Sequence, residues 1–369
     1  MIRIGLIRPI AILNTLVLML FTSCSEKREY DIKTEIVDDI RVVINPDYPR
    51  DGVAALRLEE ELSIGEGNGE DYIFDSPGEI RAGEDGTIYV SDWGFTNVRC
   101  FDKNGQYLRT IGRKGQGPGE FVALRFNLSN DGKIYFMDTV NARISILDVN
   151  GNFINNFKAL NLSTGHFTVY SDEDNNIYFS REFRSEKDRY KMTIHRYNTS
   201  GEELLNFGDF LGDRIILYER DGKVRQSRRS VSPITVWIVS KDGKLYAGYS
   251  GKYQISVYEP NGSLSFKFGR EYDPIPDTDN WLSGTSDFLP AFYRNWLLDD
   301  DENLWIELLK RKGQEEIVYD FFSPEGIYLN QFHVEHRIYC IKNKKAYCVV
   351  YSEEGIPLIT RNRMIEKAK

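Results

Sequence analysis

Two short turn patterns recur along the chain at intervals of tens of residues, and no other feature limits its fold so strongly. The first is a tight turn leading into a β-rich run. It appears as Asp85-Gly86-Thr87-Ile88-Tyr89-Val90, Asp131-Gly132-Lys133-Ile134-Tyr135-Phe136, Asp174-Asn175-Asn176-Ile177-Tyr178-Phe179 and Asp242-Gly243-Lys244-Leu245-Tyr246. Weaker copies stand at Glu302-Asn303-Leu304-Trp305-Ile306 and Asn343-Lys344-Lys345-Ala346-Tyr347. A second set interleaves with the first: Asn104-Gly105, Asn150-Gly151, Ser200-Gly201, Asn261-Gly262, Glu325-Gly326 and Glu354-Gly355. Each repeat reads strand, turn, strand, loop, strand, turn, strand, which is one four-stranded antiparallel sheet, and there are six of them.

Asp-Gly and Asn-Gly supply the positive φ angles of two-residue hairpin turns. The flanking Ile, Tyr, Val and Phe suit a sheet covered on both faces by its neighbours. Four-stranded units repeated every ~40–50 residues point to an all-β, six-bladed β-propeller. No blade can bury its faces alone, so the array must close into a ring. The last repeat is short, with only Ile356 to Met364 after its final turn, whereas Leu62-Ser63-Ile64-Gly65-Glu66-Gly67 resembles Arg109-Thr110-Ile111-Gly112-Arg113-Lys114-Gly115. Residues near 53–65 are therefore expected to supply the missing strand of blade six and remove a free sheet edge. This sets the propeller at 51–369.

The segment Gly115-Gln116-Gly117-Pro118-Gly119-Glu120-Phe121, with Asp138, Asn141-Ala142-Arg143-Ile144 and Asp148-Val149-Asn150-Gly151 after it, resembles an NHL repeat. Blade one repeats the pattern through Asp92, Asn97, Arg99, Asp102 and Asn104-Gly105. The whole chain resembles the six-bladed propeller lipoproteins of the Bacteroidetes, closely in blades one and two and only skeletally in five and six. The resemblance implies the fold. It leaves function open, because propellers host enzymes and binding platforms alike. NHL-like propellers that are lyases or lactonases hold metal ligands at the channel mouth, so Ca or Zn in the channel is the cofactor that an enzyme reading would carry.

The first 23 residues read as a targeting signal: Arg3 and Arg8, an apolar run from Ile10 to Phe21, then Thr22-Ser23-Cys24. The run is too short to span a bilayer comfortably. It resembles a bacterial lipobox with Phe21 in place of the usual leucine, which makes Cys24 the lipidated start of the mature protein and the membrane its first partner. Residues 24–50, polar and charged with Pro46 and Pro49, read as a flexible tether. The expected location is the outer membrane, on its periplasmic or cell-surface side. The chain carries 47 Lys and Arg against 56 Asp and Glu, a net charge of −9. That balance argues against nucleic acid as a partner. Cys340 and Cys348 flank the Asn343-Lys344 turn and would face each other across a hairpin, as a disulfide or as two buried thiols.

Within each blade, call the strands a to d. The a–b and c–d turns share one end, so the b–c loops and d–a crossovers share the other. Three insertions fall at that second end: Arg181 to Lys191, Gly208 to Ser232 and Gly269 to Pro290. Long connections are uncommon unless functional or disordered, which makes this end the candidate binding face. Arg228 and Arg229 lie in one insertion and Trp281 in another. Arg125, Tyr293, Arg294 and Trp296 stand on or near first strands. Aromatic rings beside arginines suit a glycan, a peptide or an envelope protein. Trp237 aligns with Ile80 and Phe126 and reads as core. Asp92 with Arg99, and Asp138 with Arg143, recur in equivalent places, so they read as ion pairs pinning their own b–c hairpins and not as catalytic groups. The four histidines, His166, His195, His333 and His336, make no metal-binding spacing. No nucleophile elbow, phosphate loop or HExxH motif is present. The reading is a non-catalytic binding propeller; the alternative is a metal-assisted lyase or hydrolase of envelope carbohydrate or peptide.

Overall fold

The computed structural model describes residues 30–65, 69–162, 168–184, 189–220, 223–228, 233–276, 288–311 and 313–366. The proposed signal and Cys24 lie outside them. No described helix is long and apolar enough to cross a membrane.

The molecule is a six-bladed all-β propeller. Blade one is Pro77–Ala82, Ile88–Asp92, Asn97–Phe101 and Tyr107–Ile111, paired in that order. Blade two is Leu124–Leu128, Lys133–Asp138, Arg143–Asp148 and Phe153–Lys158. Blade three begins at Val169–Ser171, blade four at Thr235–Val239, blade five at Phe292–Leu298 and blade six at Ile338–Lys342. Buried side chains form six clusters, each shared by two neighbouring blades. The cluster that joins the last blade to the first packs Tyr347 and Ile359 against Ile80 and Val90, so the ring is closed by the same apolar contacts that stack every other pair. Trp237 is fully buried in the cluster between blades three and four.

Closure uses the strand Gly52–Ile64. Its second half, Leu56 to Ile64, runs antiparallel to Pro357–Glu366 as the outer strand of blade six. Its first residues, Gly52 to Ala55, run parallel to Asn330–His333 of blade five. One strand thus stitches two blades.

Three expectations need correction. First, most of the turns are not two-residue turns. Asp102 N–H bonds to Gln106 O at 2.8 Å, Gly105 N–H to Asp102 O at 2.9 Å, and the left-handed φ falls on Gly105 alone, at 81°. That is a type I turn closed by a glycine bulge, and the ladder slips one place between Cys100 and Phe101 as a result. Asp102 Oδ1 accepts the N–H groups of Asn104 and Gln106, both at 2.8 Å, which explains the Asp two places before Asn-Gly. Asn343-Lys344 does turn in two residues, with φ of 53° and 57°.

Second, residues 24–50 are not all tether. Lys33–Val37 and Ile40–Asn45 form a hairpin whose second strand runs parallel to Leu264–Arg270, widening blade four to six strands. The β-branched run Val42-Val43-Ile44 drives this, with Val43 buried in the cluster of blades four and five. Third, two of the insertions are largely strand. In blade three the ladder continues to Arg184↔Tyr190, and strand d runs from Glu203 to Arg220 before folding back as Lys223–Arg228. Cys100, Cys340 and Cys348 are free thiols; Cys340 pairs in register with Tyr347, and Cys348 with Ile338, so no disulfide joins them.

Candidate ligand-binding channel

The first strands of the blades surround a central cavity of about 830 Å³, to which all six blades contribute. The sequence builds its wall by alternation, since neighbours along a strand point to opposite sides. Ile80 and Phe126 are buried in blade cores, while Glu79, Arg81 and Arg125 beside them border the cavity. The cavity runs from Gly78, Tyr293 and Arg337, near the starts of these strands, to Asp85, Gly132 and Lys342 at the tight turns.

The mouth at the insertion-bearing end carries two arginines laid on aromatic rings. The Arg125 guanidinium lies 3.8 Å above the Trp93 ring, and its Nε is 2.9 Å from Glu79 Oε1. Ser91 Oγ donates to the other Glu79 oxygen at 3.1 Å. Trp93 can lie flat across the first strand because residue 78 is glycine: a Cβ there would stand 2.4 Å from the indole. Burial lowers the Arg125 pKa, Glu79 opposes that, and the neighbouring charge of Arg81 adds to it.

Between blades five and six, the Arg337 guanidinium sits 5.1 Å from the Tyr293 ring centre. It grips Glu307 with Nη2 to Oε1 at 2.6 Å and Nε to Oε2 at 3.0 Å. Glu307 is almost fully buried, and Asn295 Nδ2 donates to it at 2.9 Å and to Ile338 O at 3.0 Å. Burial disfavours the Arg337 charge, but the Glu307 carboxylate outweighs it and the pKa is raised. At the far end Lys342 joins Glu84 of blade one to Asp300, the latter at 3.6 Å. The cavity thus has a rim of arginines at one end and a lysine strap at the other.

Of the residues singled out from sequence, Arg125 and Tyr293 border this cavity. Trp296 borders it too but is a core residue, 3% exposed, packed 5.1 Å from the Phe292 ring and over Gly248, and its Nε1 has no hydrogen-bond partner among the described residues. Arg228 and Arg294 lie in strands, with their side chains outside the description; Arg229 and Trp281 fall outside the described residues. Sequence reading missed Trp93, Glu79, Arg81 and Arg337. The signal was there in polar residues alternating with core residues on strand a, as in Glu79-Ile80-Arg81 and Arg125-Phe126-Asn127.

The recurring Asp and Arg residues do more than pin their own hairpins. Asp138 accepts N–H bonds from Val140 and Asn141 of its own loop at 3.2 and 3.1 Å, and from Val122 and Ala123 of the incoming crossover at 3.0 and 3.3 Å. Asp92 likewise takes Gly94 and Phe95 on one side and Asp75 and Ser76 on the other. Arg143 donates to the carbonyls of Gln116, Gly117 and Glu120 of that crossover at 2.9, 2.8 and 2.6 Å, and among the described residues it forms no ion pair with Asp138. Arg99 does approach Asp92, at 3.9 Å, and also donates to Ile73 O. A buried carboxylate collects backbone N–H donors where two loops meet, so these residues tie each of the two blades to the crossover that enters it.

His195 lies in blade three, its Nε2 2.7 Å from Thr193 Oγ1 and its Nδ1 3.2 Å from Glu203 Oε1; burial lowers its pKa. His333 Nδ1 is 2.9 Å from Glu316, and His336 Nε2 is 3.9 Å from Glu335. None of the three borders the cavity. Among the described residues no group of three or more His, Cys, Asp or Glu is arranged to hold a metal ion.

Residues 69–213 match the model of the DUF5128 family, described as a 6-bladed beta-propeller. No protein of curated function matches the sequence. Two solved structures share the fold. One is a candidate exported protein of Bacteroides fragilis NCTC 9343, 13% identical, with 88% of this chain and 98% of that chain covered at a TM-score of 0.53. The other is a member of the DUF4221 family from Bacteroides vulgatus ATCC 8482, 11% identical, with 85% and 99% covered at 0.54. The chain is a six-bladed β-propeller built like these Bacteroides proteins.

Proposed function

We propose that this protein is a membrane-tethered, non-catalytic binding propeller that takes a glycan, a peptide or a partner protein at the insertion-bearing end of its channel. The observation that carries the reading is the cavity of about 830 Å³ with Arg125 on Trp93 and Arg337 on Tyr293 at its rim. Small-molecule sites commonly enclose ~300–1,000 Å³ and combine aromatic walls with a few placed polar groups. The charged groups of the rim are committed to one another, Glu79 to Arg125 and Glu307 to Arg337, an arrangement suited to holding shape. Lipid on Cys24 would keep the propeller at the outer membrane.

Calorimetric titration of the protein against glycan and peptide panels tests the binding site. Trp93→Ala is expected to weaken the bound member of the panel by about tenfold or more, the scale of a central aromatic contact. A ligand held equally tightly by Trp93→Ala and Arg125→Ala would move the site off the channel mouth. Cys24→Ser, followed by membrane fractionation, tests the tether separately: the variant should appear in the soluble fraction.

A further inference from the structure

The charge inside the channel is unlike that of the chain. The whole sequence carries −9, yet the cavity is bordered by five basic side chains, Arg81, Arg109, Arg125, Arg337 and Lys342, of which Arg337 and Lys342 are also paired with Glu307 and Asp300 outside its border, against three acidic ones, Glu79, Glu84 and Asp85. Two of those acids belong to the tight turn at the far end. There Glu84 is held by Lys342, and Asp85 accepts from the Thr87 N–H at 2.9 Å and its hydroxyl at 2.8 Å.

That leaves Glu79 as the one bordering carboxylate on the blade-one wall near the mouth, and it is paired with Arg125. Arg81, one alternation along the same strand, has only neutral hydrogen-bond partners among the described residues. Its Nε donates to Asn127 Oδ1 at 3.1 Å and its Nη1 to Ile80 O at 2.9 Å. Asn127 is itself held by Ser171 at 3.2 Å, so the arginine is braced across three blades. Two guanidiniums therefore border the cavity from the neighbouring first strands of blades one and two, and the bordering carboxylate on this wall, Glu79, is paired with Arg125. A half-buried positive charge without a counter-charge is costly, and a ligand oxyanion would relieve it. A guanidinium meets a carboxylate through a planar fork of donors.

We infer that the channel ligand is an anion, and that its carboxylate is received by Arg81 with Arg125 on the wall formed by blades one and two. The inference rests on the channel reading above and narrows it to acidic ligands, such as a uronic-acid oligosaccharide or an acidic peptide.

The test titrates the full chain with trigalacturonate, triglutamate and, as the neutral match, maltotriose, at low and at high salt. At least one acidic probe should bind about tenfold or more tighter than maltotriose, and the preference should shrink in salt as the charges are screened. Arg81→Gln should erase the preference, Arg81→Lys should keep part of it, and Arg113→Gln, exposed and outside the cavity, should leave it intact. Which acidic probe binds tighter identifies the source of the carboxylate, and either supports the inference. Equal binding of maltotriose and the acidic probes, or no binding of either acidic probe, overturns it. If maltotriose binds as tightly as the acidic probes and Trp93→Ala weakens it, the channel reading stands while the anion inference falls. Acidic binding that survives both Arg81→Gln and Trp93→Ala would place the anion site elsewhere and overturn both.

Discussion

Two N-terminal segments join the propeller by sheet extension, and they do so with opposite consequences. Gly52–Ile64 enters blade six as its outer strand and runs on beside blade five, so both the closing sheet and the stitch between blades depend on it. Ile40–Asn45 pairs in parallel with the outer strand of a blade that already has its four strands. The first segment completes a sheet and the second widens one. Along the widening strand burial is uneven: Lys33–Val37, its hairpin partner, is exposed throughout, while Asn45 at its end is fully buried. The hold of the hairpin therefore lies on Ile40–Asn45, through buried Val42 and Val43 and through Asn45 at its end, and not on its exposed partner.

Removing residues 51–64 should abolish the cooperative fold, because it opens the ring and exposes the Ile64 and Leu56 contacts of two clusters. Retention of a single sharp thermal transition by that deletion would break the distinction between closing and widening strands. The next largest effect is expected at the seam where the two segments nearly meet. Asp320 is fully buried and accepts from Arg270 Nε at 2.8 Å, Tyr253 OH at 2.5 Å, Tyr328 OH at 2.6 Å and Gln331 Nε2 at 2.9 Å, joining blades four and five. Asp320→Ala would leave Arg270 charged and buried, at a cost of about 3–5 kcal/mol by denaturant unfolding. Asn45→Ala should cost less. Asn45 Nδ2 donates to Gly269 O and Gly326 O at 2.7 and 2.8 Å, and its Oδ1 accepts from Tyr328 N–H at 2.9 Å. A stranded neutral backbone group costs about 1–3 kcal/mol, less per group than a stranded charge. An effect as large as that of Asp320→Ala would mean that the hairpin is part of the seam and not an addition to it.

The closing strand was legible in the sequence and the widening one was not, for a physical reason. Leu62-Ser63-Ile64-Gly65 copies the end of a full repeat, because it occupies the same place in a blade and meets the same neighbours. Ile40–Asn45 copies nothing. Its cue was a β-branched run of three residues, Val42-Val43-Ile44, set among charges and prolines that suggested a tether. The same contrast holds at the site. Repetition reveals what every blade shares, so Asp92 and Asp138 stood out, and they prove to bind crossover backbone. Ligand-facing groups differ from blade to blade: Glu79 and Arg81 in one, Arg125 in the next, Tyr293 and Asn295 in another. They had to be found by alternation within a strand, and through Gly78, whose missing Cβ makes room for Trp93. Pairing between Arg337 and Glu307 crosses two blades and has no local sequence signature.

The smallest effect belongs to the tip of the hairpin. Lys33 Nζ lies 2.8 Å from Glu271 Oε1, with both side chains more than half exposed. The contact raises the Lys33 pKa, through its hydrogen bond to Glu271 first and the charge of Glu271 second. A folded-state lysine pKa above the unfolded value contributes its stability below the unfolded pKa and loses it as pH rises through the folded one. The dependence therefore lies above the ordinary lysine range, where few proteins are assayed. At neutral pH an exposed pair is screened by salt and opposed by side-chain entropy. Lys33→Ala should leave the melting temperature unchanged within error, in low salt and in high. A loss comparable to that of Asn45→Ala would show that the exposed strand contributes as much as the buried amide, and that the hairpin is held along its length. No change, beside a clear loss for Asn45→Ala, would locate its attachment on Ile40–Asn45, whose buried end reaches the seam of blades four and five, and not on its exposed partner.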